Sequence, residues 1–452
     1  MERMSGIPDE KADLDAWYGL TILFIAYTVS FIDRTILSLL VEPIKISLDV
    51  SDTQISLLHG LAFAIFYTLL GIPIARLADR HSRKYIISVG IFVWSMMTAV
   101  CGLADRFTTL FLARVGVGVG EAALSPAAYS MLADMFPKKK LGLALSLYSA
   151  GVYVGAGLAF IIGGLSVQMA LDMGPITLPL IGHIEGWRLI FFIIGLPGVL
   201  IALLMLTVRE PPRRKNSAAP TGDSLLAVFH FIGKAPSTFL LHFIGYSLLG
   251  LVFNAIIAWA PTYFIRTYSM TAGEIGPLLG GLILVFGGSG MIVGGVYSDF
   301  LRARGTVAAP LVSSRLAGIC LLPICIAIPF AGSVWASSLL FAGFFFFSAF
   351  PFGAAAAAIQ LATPTHLRAQ MSAVYLFVLN LAGIGFGPTI VALITDYGFE
   401  DTSRLGWSMA IVGAIAAPLG AVALHYAIRP FTETVKLREQ EEYVQYDRLK
   451  SN

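Results

Sequence analysis

The hydropathy pattern constrains the fold of this chain more than any other sequence feature. Long apolar stretches recur along its 452 residues, and the mean hydropathy is +0.80. Charged residues make up 13% of the chain, against roughly 25% in a soluble domain. This number of charges is too small to cover the surface of a water-soluble protein. Lipid is therefore the expected solvent. A helix needs ~20 apolar residues to cross the hydrocarbon, and it satisfies its own backbone hydrogen bonds there.

Twelve stretches are long enough to span a bilayer. They lie at 17–41, 53–75, 85–104, 107–134, 141–167, 187–208, 237–265, 274–297, 308–330, 333–362, 369–395 and 405–428. The first is longer than the core of a signal peptide and has no small-x-small cleavage site, which predicts an uncleaved span. The three cysteines lie in apolar segments without metal-ligand spacing, so we interpret them as packing residues. The sequence thus predicts an all-α membrane protein.

Lysine and arginine are unevenly distributed among the predicted loops. With the N-terminus inside, inner loops and the tail hold 22 of the 30, outer loops hold five, and three lie within spans. Cytoplasmic loops carry the excess of positive charge in membrane proteins. We therefore expect both termini in the cytoplasm and an even number of spans.

The longest polar stretch falls between the sixth and seventh spans, and it is rich in proline and basic residues. It divides the chain into two bundles of six helices. We predict an N-terminal segment at 1–16, a first bundle at 17–208, a linker at 209–236, a second bundle at 237–428 and a cytoplasmic tail at 429–452.

The two predicted bundles carry related inner loops. ARLADRHSRK follows the second span and GVYSDFLRAR follows the eighth, so that Asp79 aligns with Asp299 at an offset of about 220 residues. The starts of the fifth and eleventh spans also match, with Ser146 aligned to Ser372. Similar offsets at equivalent loops indicate duplicated halves.

These loops resemble the signature loop of the major facilitator superfamily, and the resemblance extends over essentially the whole chain. Ala75 and Ser82 stand where that signature usually has glycine. The resemblance implies an inner gate latch, in which Asp79 lies near the start of the eleventh helix and Asp299 near the start of the fifth. A carboxylate is stabilised by the free N–H groups of such a helix end. The predicted gating residues are Asp79, Arg80, Arg83, Lys84, Asp299 and Arg302.

Four ionisable residues lie deep within spans of the first half: Asp33, Arg34, Arg114 and Glu121. A charge at the centre of a bilayer costs ~2.5–3.5 kcal/mol on insertion scales, so such residues normally face a cavity or each other. Arg114 and Glu121 are seven residues apart, which places them on the same helix face, about 10 Å apart in height. Asp33 and Arg34 lie at the level of Arg114, with Glu121 below them, which favours an Asp33–Arg114 pair. Arg34 then either pairs with Glu121 or is free for a ligand.

The second half carries no acidic residue well inside its spans. Arg315 lies near the inner end of the ninth helix, where a long side chain can reach the membrane interface. The deep polar side chains of this half are His242, Asn254, Gln360 and Asn380, with Tyr246 and Tyr375. The tenth span is rich in phenylalanine, which more often serves packing than binding. A charged half facing an apolar half suits an amphiphile, whose head group would bind the cations of the first half.

Several segments together resemble the Spinster family. They are FIDRTILSLLVEPIK in the first helix, the stretch from ARLADRHSRK to GLADRF, ARVGVGVGEAALSPAAYSMLADMFP in the fourth helix, and GWRLIFFIIGLPGVLIALLMLTVREPPRR in the sixth. The fourth-helix segment also fits the superfamily pattern RxxxGxGxA, in which the glycines allow close helix packing. The absence of a large added domain suggests a bacterial member in the inner membrane.

This resemblance implies proton-linked, alternating-access transport of a lysophospholipid or a phosphorylated sphingoid lipid. Asp33 resembles the protonation site and Glu121 a gating or coupling carboxylate, while Arg34 and Arg114 resemble anion partners. Further candidates for substrate binding are Tyr148, Tyr153, Asn254 and Asn380. The expected partners are a lipid-like anionic small molecule, protons and membrane lipids, without nucleic acid or a cofactor, and we expect a monomer.

Other functions fit the same charges. One alternative is a proton symporter of a small organic anion such as a sugar acid, with Asn254 or Asn380 facing the cavity. Another is a multidrug exporter, which isolated acidic sites and an aromatic tenth helix allow. An intramembrane enzyme or receptor is disfavoured, since the sequence has no metal-ligand spacing, no GxSxG motif and no sensor domain.

Overall fold

The computed structural model describes residues 14–174, 176–178, 182–212, 225–364 and 367–451. Within these ranges, twelve helices are long and apolar enough to cross a membrane, which confirms the predicted twelve-helix fold. In chain order they are α1 (Leu14–Leu39), α2 (Asp52–Ala78), α3 (Arg83–Cys101), α4 (Phe107–Met135), α5 (Lys140–Met173), α6 (Gly186–Thr207), α7 (Pro236–Tyr268), α8 (Ala272–Ala303), α9 (Ala309–Phe330), α10 (Val334–Ala362), α11 (Gln370–Phe399) and α12 (Thr402–Gln440).

Equivalent helices of the two halves make equivalent contacts. Helix α1 packs against α5 and α6, and α7 packs against α11 and α12. Likewise α3 packs against α4 and α6, as α9 does against α10 and α12. This pairing is what a duplicated six-helix unit produces.

Successive spans alternate in direction, so both ends of the described chain lie on one side of the bundle, here called the terminal side. The opposite side is called the far side. On the far side, α5 and α6 are joined through a two-stranded antiparallel sheet of β1 (Ile176–Leu178) and β2 (Gly182–Ile184). On the terminal side, α12 continues beyond the apolar segment as part of one helix, Leu405–Ser451.

The predicted linker at 209–236 contains a helix, Leu225–Lys234, which the sequence reasoning did not assign. It precedes α7 on the terminal side. Its sequence, LLAVFHFIGK, is apolar on more than one face: Val228 is buried, whereas Leu226 and Phe229 are exposed. Residues 213–224 of the linker and 1–13 of the N-terminal segment lie outside the described residues.

Several spans are interrupted near the middle of the bundle. Helix α2 is broken at Gly60, and α4 at two residues directly after Glu121. Helices α8 and α11 contain wider π-helical turns at Ile283–Gly287 and Leu381–Phe386. A Cβ atom on Gly60 would lie 2.6 Å from two carbonyl oxygens of the α11 turn, so only glycine permits this contact between the halves.

The far-side parts of α5 and α8 also meet at backbone distance. A Cβ atom on Gly164 of α5 would lie 2.5 Å from the carbonyl oxygen of Ala272. A Cβ atom on Gly276 of α8 would lie 2.3 Å from the carbonyl oxygen of Phe160. The two halves therefore close tightly along this seam.

From the exposed faces of α10 and α4 we infer a cleft between the halves toward the terminal side. Helix α10 is surrounded by α7, α8, α9, α11 and α12 of its own half, so its exposed face is turned to the other half. That face carries Phe352, Gly353, Ala356, Ala357 and Gln360. Across from it, α4 packs on α1, α2, α3 and α5 and exposes Tyr129.

Candidate functional site

The four buried charges of the first half form two ion pairs between α1 and α4. Asp33 accepts a hydrogen bond from Nη1 of Arg114 at 3.1 Å through Oδ1, and one from the hydroxyl of Thr98 through Oδ2. Arg34 donates to Oε2 of Glu121 through Nε at 2.6 Å and Nη2 at 2.5 Å. The structure thus has the Asp33–Arg114 pair and, of the two alternatives for Arg34, the pair with Glu121.

The four side chains differ in their access to solvent. Asp33, Arg114 and Glu121 are each 1% exposed, whereas the side chain of Arg34 is 15% exposed. Nε of Arg114 and Oε1 of Glu121 are buried without a hydrogen-bond partner in the described part of the chain. The pairs therefore retain unused hydrogen-bonding capacity, and Arg34 is the less buried of the two cations.

Three aromatic rings surround the guanidinium of Arg34. Its Cζ atom lies 4.9 Å from the ring centroid of Phe31, 4.5 Å from that of Phe63 and 4.8 Å from that of Tyr67. Ring faces attract a cation, and the attraction grows when water is excluded. This aromatic cage holds the charge of Arg34 in place beside Glu121.

Helical spacing and one glycine explain how the cage forms. Phe31 precedes Arg34 by three residues on α1, and Phe63 and Tyr67 are four apart on α2, so each set shares a helix face. A Cβ atom on Gly118 of α4 would lie 2.7 Å from the carbonyl oxygen of Phe63. The glycine pattern of α4 therefore serves close packing, as predicted, and brings α2 to the ion pair.

The two predicted tyrosine ligands lie in aromatic clusters beside this site. Tyr148 is fully buried, with its ring stacked on Tyr27 at 4.4 Å. Tyr153 is 4% exposed and contacts Phe352 of α10 at 5.7 Å between centroids. The hydroxyl of Tyr153 has no hydrogen-bond partner in the described residues. Tyr153 and Phe352 thus connect the two halves at the end of the cleft.

The predicted polar ligands of the second half are less available. The amide of Asn254 donates to the carbonyl oxygen of Gly250 at 2.8 Å, within its own helix. Asn380 is half-buried on α11. His242 is buried against the rings of Tyr246 and Tyr375. Most phenylalanines of the tenth span serve packing: Phe341, Phe344, Phe345 and Phe350 are buried, whereas Phe352 is exposed.

Two of the predicted gating residues of the first half, Arg83 and Lys84, form contacts that stabilise the inner loop. Arg83 is buried and forms ion pairs with Asp134 at 2.5 Å and Glu210 at 2.9 Å, all within the first half. The backbone N–H of Lys84 donates to Glu210 at 2.9 Å. Arg80 is exposed, and the side chain of Asp79 lies outside the described part of the structure.

Among the described residues Asp299 shows no contact with the start of α5, and the latch stays a prediction. Asp299 is exposed and makes no hydrogen bond within the described residues, and Arg302 is exposed as well. The side chains of Lys138 and Lys139 at the start of α5 lie outside the described part of the structure.

A second ion cluster, on the far side, was missed by the sequence reasoning. Arg266 of α7 donates to both carboxylate oxygens of Asp52, at 2.6 and 2.7 Å, and lies 2.7 Å from Glu42. Lys45 donates to the same Asp52, which is fully buried. Nearby, Asp396 of α11 accepts hydrogen bonds from the backbone and hydroxyl of Thr53. These contacts join the halves, but their members lie at the far-side ends of spans and in the short helix Val41–Leu48, where a charge is common and gives no functional signal in the sequence.

Within the described residues, no group of three or more histidine, cysteine or acidic side chains is arranged to hold a metal ion. The site consists of two ion pairs and an aromatic cage beside the inferred cleft between two helical bundles. A site at the interface of two helical repeats is typical of secondary transporters.

Comparison with known proteins agrees with this class. The family model described as Major Facilitator Superfamily matches residues 23–388, and the chain belongs to that superfamily. An "MFS-type efflux pump" of Mycolicibacterium smegmatis is 27% identical, with 92% of this chain and 93% of that protein covered. A "Probable L-galactonate transporter" of Escherichia coli is 24% identical, with 91% and 89% covered.

Among solved structures, the chain is similar to a bacterial homolog of the human lysosomal transporter Spinster in an inward-facing, unoccupied conformation. The TM-score is 0.73 and the sequence identity 28%, with 94% of this chain and 98% of that chain covered. This similarity confirms the resemblance to the Spinster family. The protein is an integral membrane transporter of the Spinster type and not an enzyme.

Proposed function

We propose that this transporter moves an anionic amphiphile, such as a lysophospholipid, by alternating access linked to protons. The observation that carries the proposal is the accessibility of Arg34. Its side chain is the least buried of the two ion pairs, and three aromatic rings surround its charge. A phosphate entering the cleft meets this guanidinium first, and Arg binds phosphate through two parallel hydrogen bonds.

The composition of the cleft supports an amphiphile. Charged groups lie on the first half, whereas the facing surface of α10 consists of Phe352, small residues and Gln360. A head group on Arg34 would therefore leave an alkyl chain against the second half. Burial of the chain contributes about 0.8 kcal/mol per methylene, so a lipid tail adds substantial affinity.

Proton linkage follows from competition for Arg34. Glu121 and the substrate phosphate are both acceptors of the same guanidinium. Protonation of Glu121 removes its negative charge and frees Arg34 for the substrate. We assign Asp33 the equivalent role for Arg114, in the ion pair that lies further from the cleft. Protonation of Asp33 removes its charge and releases this pair, which fixes α1 to α4.

The proton roles can be tested in proteoliposomes with an imposed pH gradient. Asp33→Asn and Glu121→Gln are expected to abolish the dependence of uptake on the gradient while the proteins still fold, because each replaces a carboxylate by a neutral group of the same shape. Glu433→Gln, an exposed carboxylate outside the site, is the matched control. Gradient-driven uptake by Asp33→Asn and Glu121→Gln at the wild-type rate would exclude proton coupling at these residues.

A small organic anion is the second candidate, because the relative from Escherichia coli named as a probable L-galactonate transporter aligns over 91% of this chain. A carboxylate would bind the same Arg34. The two substrates differ in what they require of the second half, since a sugar acid needs hydrogen-bond partners there and an alkyl chain does not.

Mass spectrometry of the purified protein separates these candidates. For an amphiphile, lyso-lipid copurifies with the wild type and with Lys140→Ala, which removes an exposed cation elsewhere, but not with Arg34→Ala. Saturable uptake of galactonate by a lipid-free protein would favour the sugar acid instead. We further propose that the terminal side is cytoplasmic, as the distribution of positive charge predicts.

A further inference from the structure

Arg315 is a cation within a membrane-spanning helix, and the proposed transport mechanism does not use it. It lies on α9, six residues from the start of the helix at Ala309, or about 9 Å from its terminal-side end. No acidic residue pairs with it in the described part of the chain; its Nη1 donates instead to Nδ1 of His425 on α12 at 2.9 Å. Its Nε is buried without a hydrogen-bond partner.

The geometry fixes how His425 presents its other nitrogen. A guanidinium carries only donors, so Nδ1 of His425 must accept, and the proton of the neutral ring is then on Nε2. His425 is exposed, and its Nε2–H is a second donor beside Arg315. One turn further along α12, Arg429 is also exposed, with its guanidinium 3.1 Å from Glu433.

The surface around this pair is apolar. Helices α9 and α12 pack on each other and on helices of their own half, away from the cleft. The side chains one turn from Arg315 and His425 on this face include Ile319, 53% exposed, and Val422, 49% exposed. An exposed apolar face on a membrane-spanning helix contacts lipid, so the cation and the imidazole donor are presented to the lipids of the terminal-side leaflet.

We propose that Arg315 and His425 form a binding site for the phosphate of an anionic phospholipid in the terminal-side leaflet. The phosphate supplies the counter-charge that Arg315 lacks, and its oxygens accept from the guanidinium and from Nε2 of His425. The acyl chains lie along Ile319 and Val422. Basic sites between membrane helices bind lipid head groups by this chemistry. The site is on the outer face of the second half, separate from the transport cleft.

The test compares the thermal stabilisation of the detergent-solubilised protein by phosphatidylglycerol and by phosphatidylcholine. The wild type and Lys140→Gln are expected to prefer phosphatidylglycerol. In Arg315→Gln, the apparent affinity for phosphatidylglycerol relative to phosphatidylcholine is expected to fall about fivefold, which is the effect of losing one interfacial cation. Inorganic phosphate is expected to have no effect, because it lacks the acyl chains. Equal preference in Arg315→Gln and Lys140→Gln, or full stabilisation by inorganic phosphate, would overturn the proposal.

A second measurement does not depend on a variant that folds. Photoactivatable phosphatidylglycerol is added to the wild-type protein, and the labelled peptides are mapped by mass spectrometry. Labelling concentrated on the peptides of α9 and α12 that contain Ile319 and Val422, and competed by unlabelled phosphatidylglycerol but not phosphatidylcholine, supports the site. Labelling that is absent from these peptides contradicts it.

Discussion

Glu210 stabilises the start of α3 from outside that helix. Its carboxylate accepts hydrogen bonds from the hydroxyl of Ser82, from Nε of Arg83 and from the backbone N–H groups of Arg83 and Lys84. A carboxylate at a helix N-terminus satisfies free N–H groups and interacts with the positive end of the dipole. Ser82, which departs from the family's usual glycine, is therefore used as a donor in this network.

These hydrogen bonds predict how stability depends on pH. Burial alone raises the pKa of Glu210, but the donors from Lys84, Arg83 and Ser82 outweigh it and hold the pKa below the usual 4.5. A carboxyl whose pKa is lower in the folded state stabilises the protein above its usual pKa. That stabilisation is lost as the pH falls through the lowered value.

We expect Glu210→Gln to cost about 1–2 kcal/mol at neutral pH, because the charge-assisted hydrogen bonds are lost. The apparent melting temperature should fall, and the difference from the wild type should disappear as the pH falls through the lowered pKa of Glu210. Glu433→Gln, an exposed carboxylate in a surface pair, should change little. A Glu210→Gln variant as stable as Glu433→Gln at pH 7 would contradict this role.

Individual charges were more predictable than their partners. Asp33, Arg34, Arg114 and Glu121 could be identified because a charge in a membrane span is costly and therefore functional. Thr98 and the rings around Arg34 could not be assigned from the sequence, since hydroxyl and aromatic residues are common in spans. Their roles depend on which helix faces meet.

At the scale of the helix, glycines control how closely spans approach one another. Gly276 and Gly281 both lie on α8 and differ only in their surroundings. A Cβ atom at Gly276 would lie 2.3 Å from a carbonyl oxygen of α5, whereas one at Gly281 would have no atom within 4 Å. Alanine gains about 1 kcal/mol of helix propensity over glycine at either position, so any difference between the variants reports the contact with α5.

Gly276→Ala is expected to force α5 and α8 apart on the far side, whereas Gly281→Ala is not. The measurement is the rate at which a cysteine engineered at Gln168 of α5, beside Gly273 on the far side, reacts with a maleimide. The rate should rise in the Gly276→Ala protein and stay unchanged in Gly281→Ala. Equal rates in the two variants would show that the seam tolerates a methyl group.

The existence of each span was predictable, but its interruptions were not. Twelve apolar stretches of sufficient length identify twelve helices, because lipid leaves the backbone no alternative. The break at Gly60 and the wide turn at Leu381–Phe386 arise from the contact between α2 and α11. Such contacts join residues more than 300 positions apart, and local sequence carries no signal for them.

At the scale of the whole molecule, Arg266 holds the two halves together on the far side. It belongs to the second half, and its partners Asp52 and Glu42 belong to the first. Asp52 is fully buried, so its charge depends on Arg266 and Lys45 for compensation. The repeat in the sequence predicted two halves, but it could not predict this cluster, which has no equivalent in the duplicated loops.

Arg266→Gln is expected to destabilise the far-side closure by ~3 kcal/mol, because it leaves a buried carboxylate undercompensated. The cysteine at Gln168 should then react faster with the maleimide, and the apparent melting temperature should fall. Arg404→Gln removes a far-side arginine that is 54% exposed and should have neither effect. Indistinguishable behaviour of these two variants would mean that the cluster does not hold the halves closed.

The continuous last helix also has a mechanical consequence. Residues 441–451 extend it by ~16 Å beyond α12, at 1.5 Å per residue. Because this extension is covalently continuous with α12, it turns with the second half as a lever. A rotation of that half by about 10° would move the tip by ~3 Å relative to the end of α12. A dye at the end of the helix would thus amplify, as an optical signal, a rocking motion that is small within the bundle itself.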